Sequence, residues 1–240
     1  MTGATYSLGF PLQTEELCND VGQVYYGPVI LITDALCYST TDIFAAGFQD
    51  NEVGEILGTS DNTGAGGANM WYYDDLISVL GKKSKSFFKP LPRDSQLQIA
   101  MRRSVRVGQR DGRPLEELGI TPDHRHYMTK RDLMNQNVDL VRKAARLLES
   151  KPAYSLTVKP VKGKIALSIT ASSKVRPRDH RKRISRIDVF VNGRPQKSLS
   201  VRGGNLNRTI VSLGKVRARA HWSVQAYDRD NNLIASARGH

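Results

Sequence analysis

The stretch 28-PVILITDALCYSTTDIFAAGFQD-50 decides the reading of the first half of the chain. "PVILIT" is a continuous apolar run, the pattern of a short strand covered on both faces, as in a parallel sheet. "STTDIFAAGFQDN" (39–51) then reads as a helix. Ile43, Phe44, Ala46, Gly47 and Phe48 cluster at helical spacing, Ser39 to Thr41 supply N-cap hydroxyls, and Asp42 places an acid in the first turn. "GEILG" (54–58) reads as a second short strand. Ser39 therefore stands at a strand-to-helix corner. The first free N–H groups of the helix point outward there, and with the helix dipole they can stabilise an oxyanion. The same position also suits a plain helix cap.

Outward from this core, residues 1–27 are irregular and rich in Gly, Thr and Tyr. "TSDNTGAGGANMW" (59–71) is a Gly-rich loop, "YYDDLISVLG" (72–81) a helix, and "SQLQIAMRRSVRV" (95–107) alternates as a long strand. "RDGRPLEELGITPDHRHYMT" (110–129) is turn-rich. "NQNVDLVRKAARLLES" (135–150) is an amphipathic helix, with Val138, Val141, Ala145 and Leu148 on one stripe and Leu140, Ala144 and Leu147 beside it.

The period changes after residue 150. "AYSLTVKPV", "KIALSITAS", "RIDVFVNG", "KSLSV", "RTIVSLG" and "HWSVQAYDRDNNLIASARG" are short alternating runs broken by turn pairs such as Asn192-Gly193. This is the signature of an antiparallel sandwich of about seven strands. Trp222, Val224, Ala226 and Tyr227 read as a central core strand. The charge changes too: residues 151–240 carry 20 Lys+Arg against the four acids Asp179, Asp188, Asp228 and Asp230, whereas residues 1–150 carry 16 against 19. The expected architecture is an α/β domain over 1–150, a strand–helix crossover with a mixed sheet. A basic, immunoglobulin-like all-β sandwich follows over 153–240, with the boundary near "LLESKPAYS" (147–155). The basic half suits an anionic surface or simply a solvated face. The charged stretch "KVRPRDHRKRISR" (174–186) lacks the aromatic interleaving of a nucleic-acid patch.

Several classes are disfavoured. No apolar run approaches the roughly 20 residues of a membrane span, and the first residues lack the basic and apolar regions of a signal peptide. Localisation stays open. Cys18 and Cys37 make neither a disulfide framework nor a metal site and are expected as buried free thiols. Five histidines without an HExxH motif or cysteine pairs give no metal signal. "TGAGGAN" lacks the lysine of a P-loop, so no cofactor is expected.

The order of blocks carries a resemblance. "PVILITDALCYSTTDIFAAGFQDNEVGEILGTSDNTGAGG" resembles the core of the C-terminal-processing, or tail-specific, serine proteases, a family that includes the tricorn core protease. The family pattern is an apolar strand, a Ser-Ala-Ser-Ala-Ala/Ser-Glu corner, a helix, a strand ending in Gly, and a Gly-rich loop. Its nucleophile stands three residues before the acidic position, which places it at Ser39, with Asp42 in place of Glu. The Thr40 N–H would then be an oxyanion donor. A second block, "GRPLEELGITPDHRHYMTKRDLMNQNVDLVRKAARLL", is similar to the family's closing segment. It puts a supporting acid at Glu116, with Glu117 adjacent.

The resemblance also bears on the base. One branch of the family uses a lysine in the Gly-rich loop, where this chain has Ala65; the next lysines are Lys82 and Lys83. The other branch uses a histidine upstream of the nucleophile, and residues 1–38 contain none. Gly9 is the candidate for a second oxyanion donor. His124 and His126, which alternation would put on one face of a strand, are the local alternatives as base; His180 and His221 fall in the second half. The resemblance thus implies a serine-type peptidase acting on peptide or protein substrates, weak or incomplete alone, with an N-terminal protease segment as a partner. The alternative is an inactive protease-like module that binds peptide or protein.

Overall fold

The computed structural model describes residues 4–11, 13–18, 20–81, 87–162, 165–173, 179–213 and 220–239. Lys82, Lys83 and residues 174–178 of the charged stretch lie outside the described residues. In chain order the elements are α1 (Glu15–Cys18), β1 (Ile30–Thr33), α2 (Thr40–Asp50), β2 (Glu55–Gly58), β3 (Asn69–Tyr72), α3 (Tyr73–Leu80), β4 (Gln98–Arg102), β5 (His124–Arg125), α4 (Lys130–Met134) and α5 (Val138–Glu149). Then come β6 (Tyr154–Pro160), β7 (Ala166–Ser173), β8 (Arg186–Val191), β9 (Arg194–Ser200), β10 (Leu206–Ser212), β11 (Trp222–Tyr227) and β12 (Leu233–Gly239). Mixed helix and strand give way to strand alone. The chain divides into two compact units, Met1–Phe10 with Val29–Ala144, and Pro11–Pro28 with Ala145–His240. Among the described residues no helix is long and apolar enough to cross a membrane.

The first unit is built on the β1–α2–β2 crossover. β1 and β2 are parallel, with Ile30 opposite Glu55 and Thr33 opposite Gly58. β5 joins the other edge of β2 in parallel, through Leu57↔His124 and Gly58↔Arg125. Helix α2 buries Asp42, Ala45, Ala46, Phe48 and Gln49 against this sheet, and Ile56, Leu115 and Ile120 complete the core. Gly54 enters β2 where a Cβ would stand 2.2 Å from Val29 O, so the return to the sheet tolerates no side chain there. Phe44 departs from the expected cluster. The helix orients by Asp42, Ala45 and Gln49, which turns Phe44 outward to 59% exposure, its ring 6.3 Å from that of Phe48.

Two further expectations are corrected in the first 150 residues, and one left open is decided. The long strand over 95–107 is only β4, paired antiparallel with β3. Beyond it the Ser104 hydroxyl donates to Gly67 O, Val105 bridges Pro114, and Arg106 is drawn into the core by Asp50, so the alternation is spent on separate anchors. In α5 the buried residues are Leu140 and Ala144, while Val141 is exposed; the second stripe, not the first, faces inward. Finally, neither cysteine is buried: Cys18 is exposed on α1, which buries nothing, and Cys37 is half-buried.

The second unit holds two antiparallel sheets, in the orders β10-β7-β6 and β12-β11-β8-β9. Their inward residues form one core. Leu167, Ile169 and Ala171 come from β7, Ile187, Val189 and Val191 from β8, and Val224 and Ala226 from β11. Alternation sets these faces, as the strict every-second-residue burial of β8 shows. Asn192 and Gly193 turn β8 into β9 with φ of 48° and 75°, the positive pair a two-residue hairpin turn requires. β11 is the central strand expected, but Tyr227 is half-buried on its opposite face, under the Arg186 guanidinium, 4.5 Å from the ring centroid.

Candidate active site

Ser39 immediately precedes α2 with φ 57° and ψ −113°. These are the angles of the first central residue of a type II′ turn, a conformation glycine supplies freely and other residues adopt at a cost of roughly 1–3 kcal/mol. A capping serine sits in the extended region and accepts an N–H from the first turn. Ser39 does neither: its side chain makes no capping hydrogen bond. The expected cap chemistry is therefore not what holds this corner. The Thr41 N–H donates to Tyr38 O at 3.2 Å and the Ile43 N–H to Ser39 O at 3.1 Å. The Thr40 N–H has no acceptor among the described residues, and it lies at the positive end of an 11-residue helix. Ser39 is half-buried, and its hydroxyl likewise has no protein partner there.

Asp42 holds the Gly-rich loop against this corner. It is fully buried; one oxygen accepts the Thr63 hydroxyl, and the other accepts the Gly66 N–H at 2.7 Å. The Gly64 N–H donates to Cys37 O at 2.7 Å, which ties the loop to the corner from the other side. Gly66 then lies so close that a Cβ would stand 2.6 Å from Ser39 N. Ala65, between these glycines, has φ 62°. A methyl group at this position brings no proton acceptor to Ser39.

The same loop carries the corner to Glu116. The Thr63 hydroxyl oxygen accepts the Ile120 N–H at 2.8 Å, and the Thr63 N–H donates to Ile120 O. The Glu117 N–H donates to Ala65 O at 3.1 Å, and a Cβ on Gly67 would stand 2.8 Å from the Leu115 side chain. Leu115 to Ile120 and Ser39 thus pack on opposite sides of one loop. Glu116 Oε1 is buried and has no hydrogen-bond partner among the described residues. Its neighbour Glu117 is exposed, with φ 70°.

Both local histidines are held by carboxylates. His124 Nε2 lies 2.7 Å from Glu55 Oε2, and His126 Nε2 lies 2.7 Å from Asp132 Oδ2. Asp132 also accepts the N–H groups of Thr129, Asp139 and Leu140. Burial alone would raise its pKa; the Thr129 N–H, the His126 ring and the Leu140 N–H together hold it far below the usual carboxylate range. The structure brings neither histidine into a hydrogen bond with Ser39. Gly9 is exposed, with open space around it and no contact to the corner. His180 stands on a short 3-10 turn of the second unit, and His221 precedes β11. Among the described residues no group of His, Cys, Asp or Glu is placed to share a metal ion.

Two latches join the sequence blocks at the far end of α2. Gln49 Nε2 donates to Thr121 O and to Asp123 Oδ1, while Asp123 Oδ2 accepts the Ile56 N–H. Arg106 donates to both oxygens of Asp50, at 2.7 and 2.5 Å, and to Gln49 Oε1. Sequence reasoning named none of Thr63, Gln49, Asp50, Arg106 or Asp123 as positioning residues, although all but Arg106 lie within the two quoted blocks.

Residues 7–76 match the family model of peptidase family S41. That stretch is similar to part of a family S41 peptidase. It includes Ser39, Thr40, Asp42 and the Gly-rich loop, and it supports the assignment to the C-terminal-processing proteases. Glu116, His124 and His126 lie beyond the S41 match. No curated protein matches the chain. Among solved structures, the M60 catalytic domain of Clostridium perfringens ZmpC, in complex with the sialyl T antigen, is 10% identical with a TM-score of 0.26, over 38% of this chain and 16% of that one. The fibronectin(III)-like modules of Clostridium thermocellum CbhA are 22% identical with a TM-score of 0.24, over 35% of this chain and 90% of that one. The chain thus spans about a sixth of the first of these structures.

Proposed function

We propose that Ser39 is the nucleophile of a serine-type endopeptidase of the tail-specific kind, with the Thr40 N–H as an oxyanion donor and Glu116 as a supporting acid. The observation that carries this reading is the backbone of Ser39: a strained serine, released from capping, beside an N–H with no acceptor. Strain of this kind persists where surrounding structure enforces it, and Asp42, Gly64 and Gly66 enforce it here. In the reaction Ser39 Oγ bonds to the substrate carbonyl carbon and its proton passes to a base. The C–N bond breaks, the leaving amine takes that proton, and water then hydrolyses the acyl–Ser39 ester. A single oxyanion donor is worth about 10²–10³ in rate.

The base is proposed to come from a separate N-terminal protease segment, because His124 and His126 are engaged by Glu55 and Asp132. That engagement also favours a second reading, an inactive module that binds peptide or protein. The sandwich is proposed to be immunoglobulin-like, an appended module rather than part of the chemistry. A test that needs no natural partner supplies the base as imidazole and follows release of p-nitrophenolate from p-nitrophenyl acetate. After subtraction of the protein-free rate, at which imidazole itself attacks the ester, the wild-type protein with imidazole should exceed Ser39→Ala with imidazole by tenfold or more. Equal rates for the two would leave only the peptide-binding reading.

A further inference from the structure

The outer face of the β10-β7-β6 sheet has a composition unlike the rest of the second unit. Tyr154, Leu156 and Val158 of β6 pack on the core, as do Leu167, Ile169 and Ala171 of β7, so the alternate residues face outward. Those residues are hydroxyls and cations. Thr157 stands opposite Thr170, and Lys159 stands opposite Ser168. Arg208 of β10 reaches across to donate to the Ser168 hydroxyl at 3.2 Å. With Lys162 at the end of β6, these side chains line an open groove of about 550 Å³. None of the three strands contains an acid. The acids of this half are elsewhere: Asp179 pairs with Arg181, Asp188 with Arg186 and Ser198, and Asp228 and Asp230 lie in the β11–β12 turn. Lys159, Lys162 and Arg208 therefore have no carboxylate partner among the described residues.

We propose that this face binds an acidic polysaccharide, a sugar chain carrying sulfate, phosphate or carboxylate groups. The cations neutralise its charged groups. The threonine and serine hydroxyls between them, spaced about 4.5–5.5 Å across the strand pair, exchange hydrogen bonds with sugar hydroxyls and ester oxygens. The groove has no aromatic ring, so it offers no platform for stacking nucleic-acid bases. Ile210 is the large apolar side chain exposed on these strands, too little to enter a bilayer. The inference is independent of the chemistry at Ser39.

The test measures heparin binding by the full chain at physiological salt. Lys159→Ser/Lys162→Ser/Arg208→Ser should weaken heparin binding tenfold or more. Arg194→Ser/Lys197→Ser/Arg202→Ser removes the same charge from exposed positions elsewhere on the unit and should weaken it less than threefold. Thr157→Val/Thr170→Val keeps shape and charge and should still lose severalfold. Equal losses for the two charge triples would overturn the proposal in favour of net charge alone. Tighter binding of duplex DNA or of phosphatidylserine vesicles, with the same sensitivity to the first triple, would replace the sugar with another polyanion. No heparin binding by the wild-type chain would remove the proposal altogether.

Discussion

Ser39 holds a backbone conformation that glycine adopts freely, and the surrounding contacts, not its own preference, keep it there. Ser39→Gly should therefore raise stability by about 1 kcal/mol in urea unfolding, while Ser39→Ala should leave it nearly unchanged. Asp42 is the partner in this balance. Asp42→Ala leaves the Thr63 hydroxyl and the Gly66 N–H unpaired in the core and should cost roughly 2–4 kcal/mol, with faster hydrogen exchange at Gly66. At this scale the sequence is half legible. The corner serine and the acid three residues on are visible in "CYSTTD". The strain is not, because it arises from a loop 24 positions further along folding back onto the corner. The engagement of His126 is equally hidden, since Asp132 reads in sequence as an ordinary acid at the start of a helix.

At the scale of elements, α2 is fixed at its end by charge. Asp50 and Arg106 are almost wholly buried together, and Arg110 approaches at 3.7 Å. Burial works to raise the Asp50 pKa, but the hydrogen bonds and charge of Arg106, with the Val107 N–H, overcome it and hold the group below its usual value. Removing one partner of such a pair leaves a buried charge, so Arg106→Met should cost about 3–5 kcal/mol at pH 7. The sign of the pH effect follows from the lowered pKa. The stabilisation is complete above the unfolded aspartate value of about 3.9 and is lost as pH falls through the folded value, so the Arg106→Met penalty should shrink below about pH 4. Urea midpoints of both proteins at pH 7 and pH 3 measure this. Arg106 also shows why β4 is shorter than its alternation suggests: a side chain that reads as the polar half of a strand pattern is the buried partner of Asp50. In α5, by contrast, two adjacent apolar stripes were both visible, and periodicity alone did not say which one Leu140 and Ala144 would turn inward.

At the scale of the whole molecule, two cores are built from separate residues, one around Ala45, Ile56 and Ile120 and one around Ile169, Ile187 and Val224. Ile187→Ala should destabilise the sandwich by about 2–5 kcal/mol, read as a fall in its melting transition. The sandwich was the more legible half because alternation and turn pairs are local signals, and strands such as β8 follow them strictly. The crossover half was legible where it matches peptidase family S41 and less so over 95–112, where long-range latches replace periodicity. The claim that joins these scales is that the fold spends stability to present Ser39 as a nucleophile. Its most direct measurement is labelling of the intact chain with a fluorophosphonate, with and without added imidazole, mapped by mass spectrometry. The account predicts a phosphonylated Ser39, faster with imidazole and absent from Ser39→Ala. An unlabelled Ser39 under both conditions, or labelling spread over other hydroxyls and unchanged in Ser39→Ala, would contradict it.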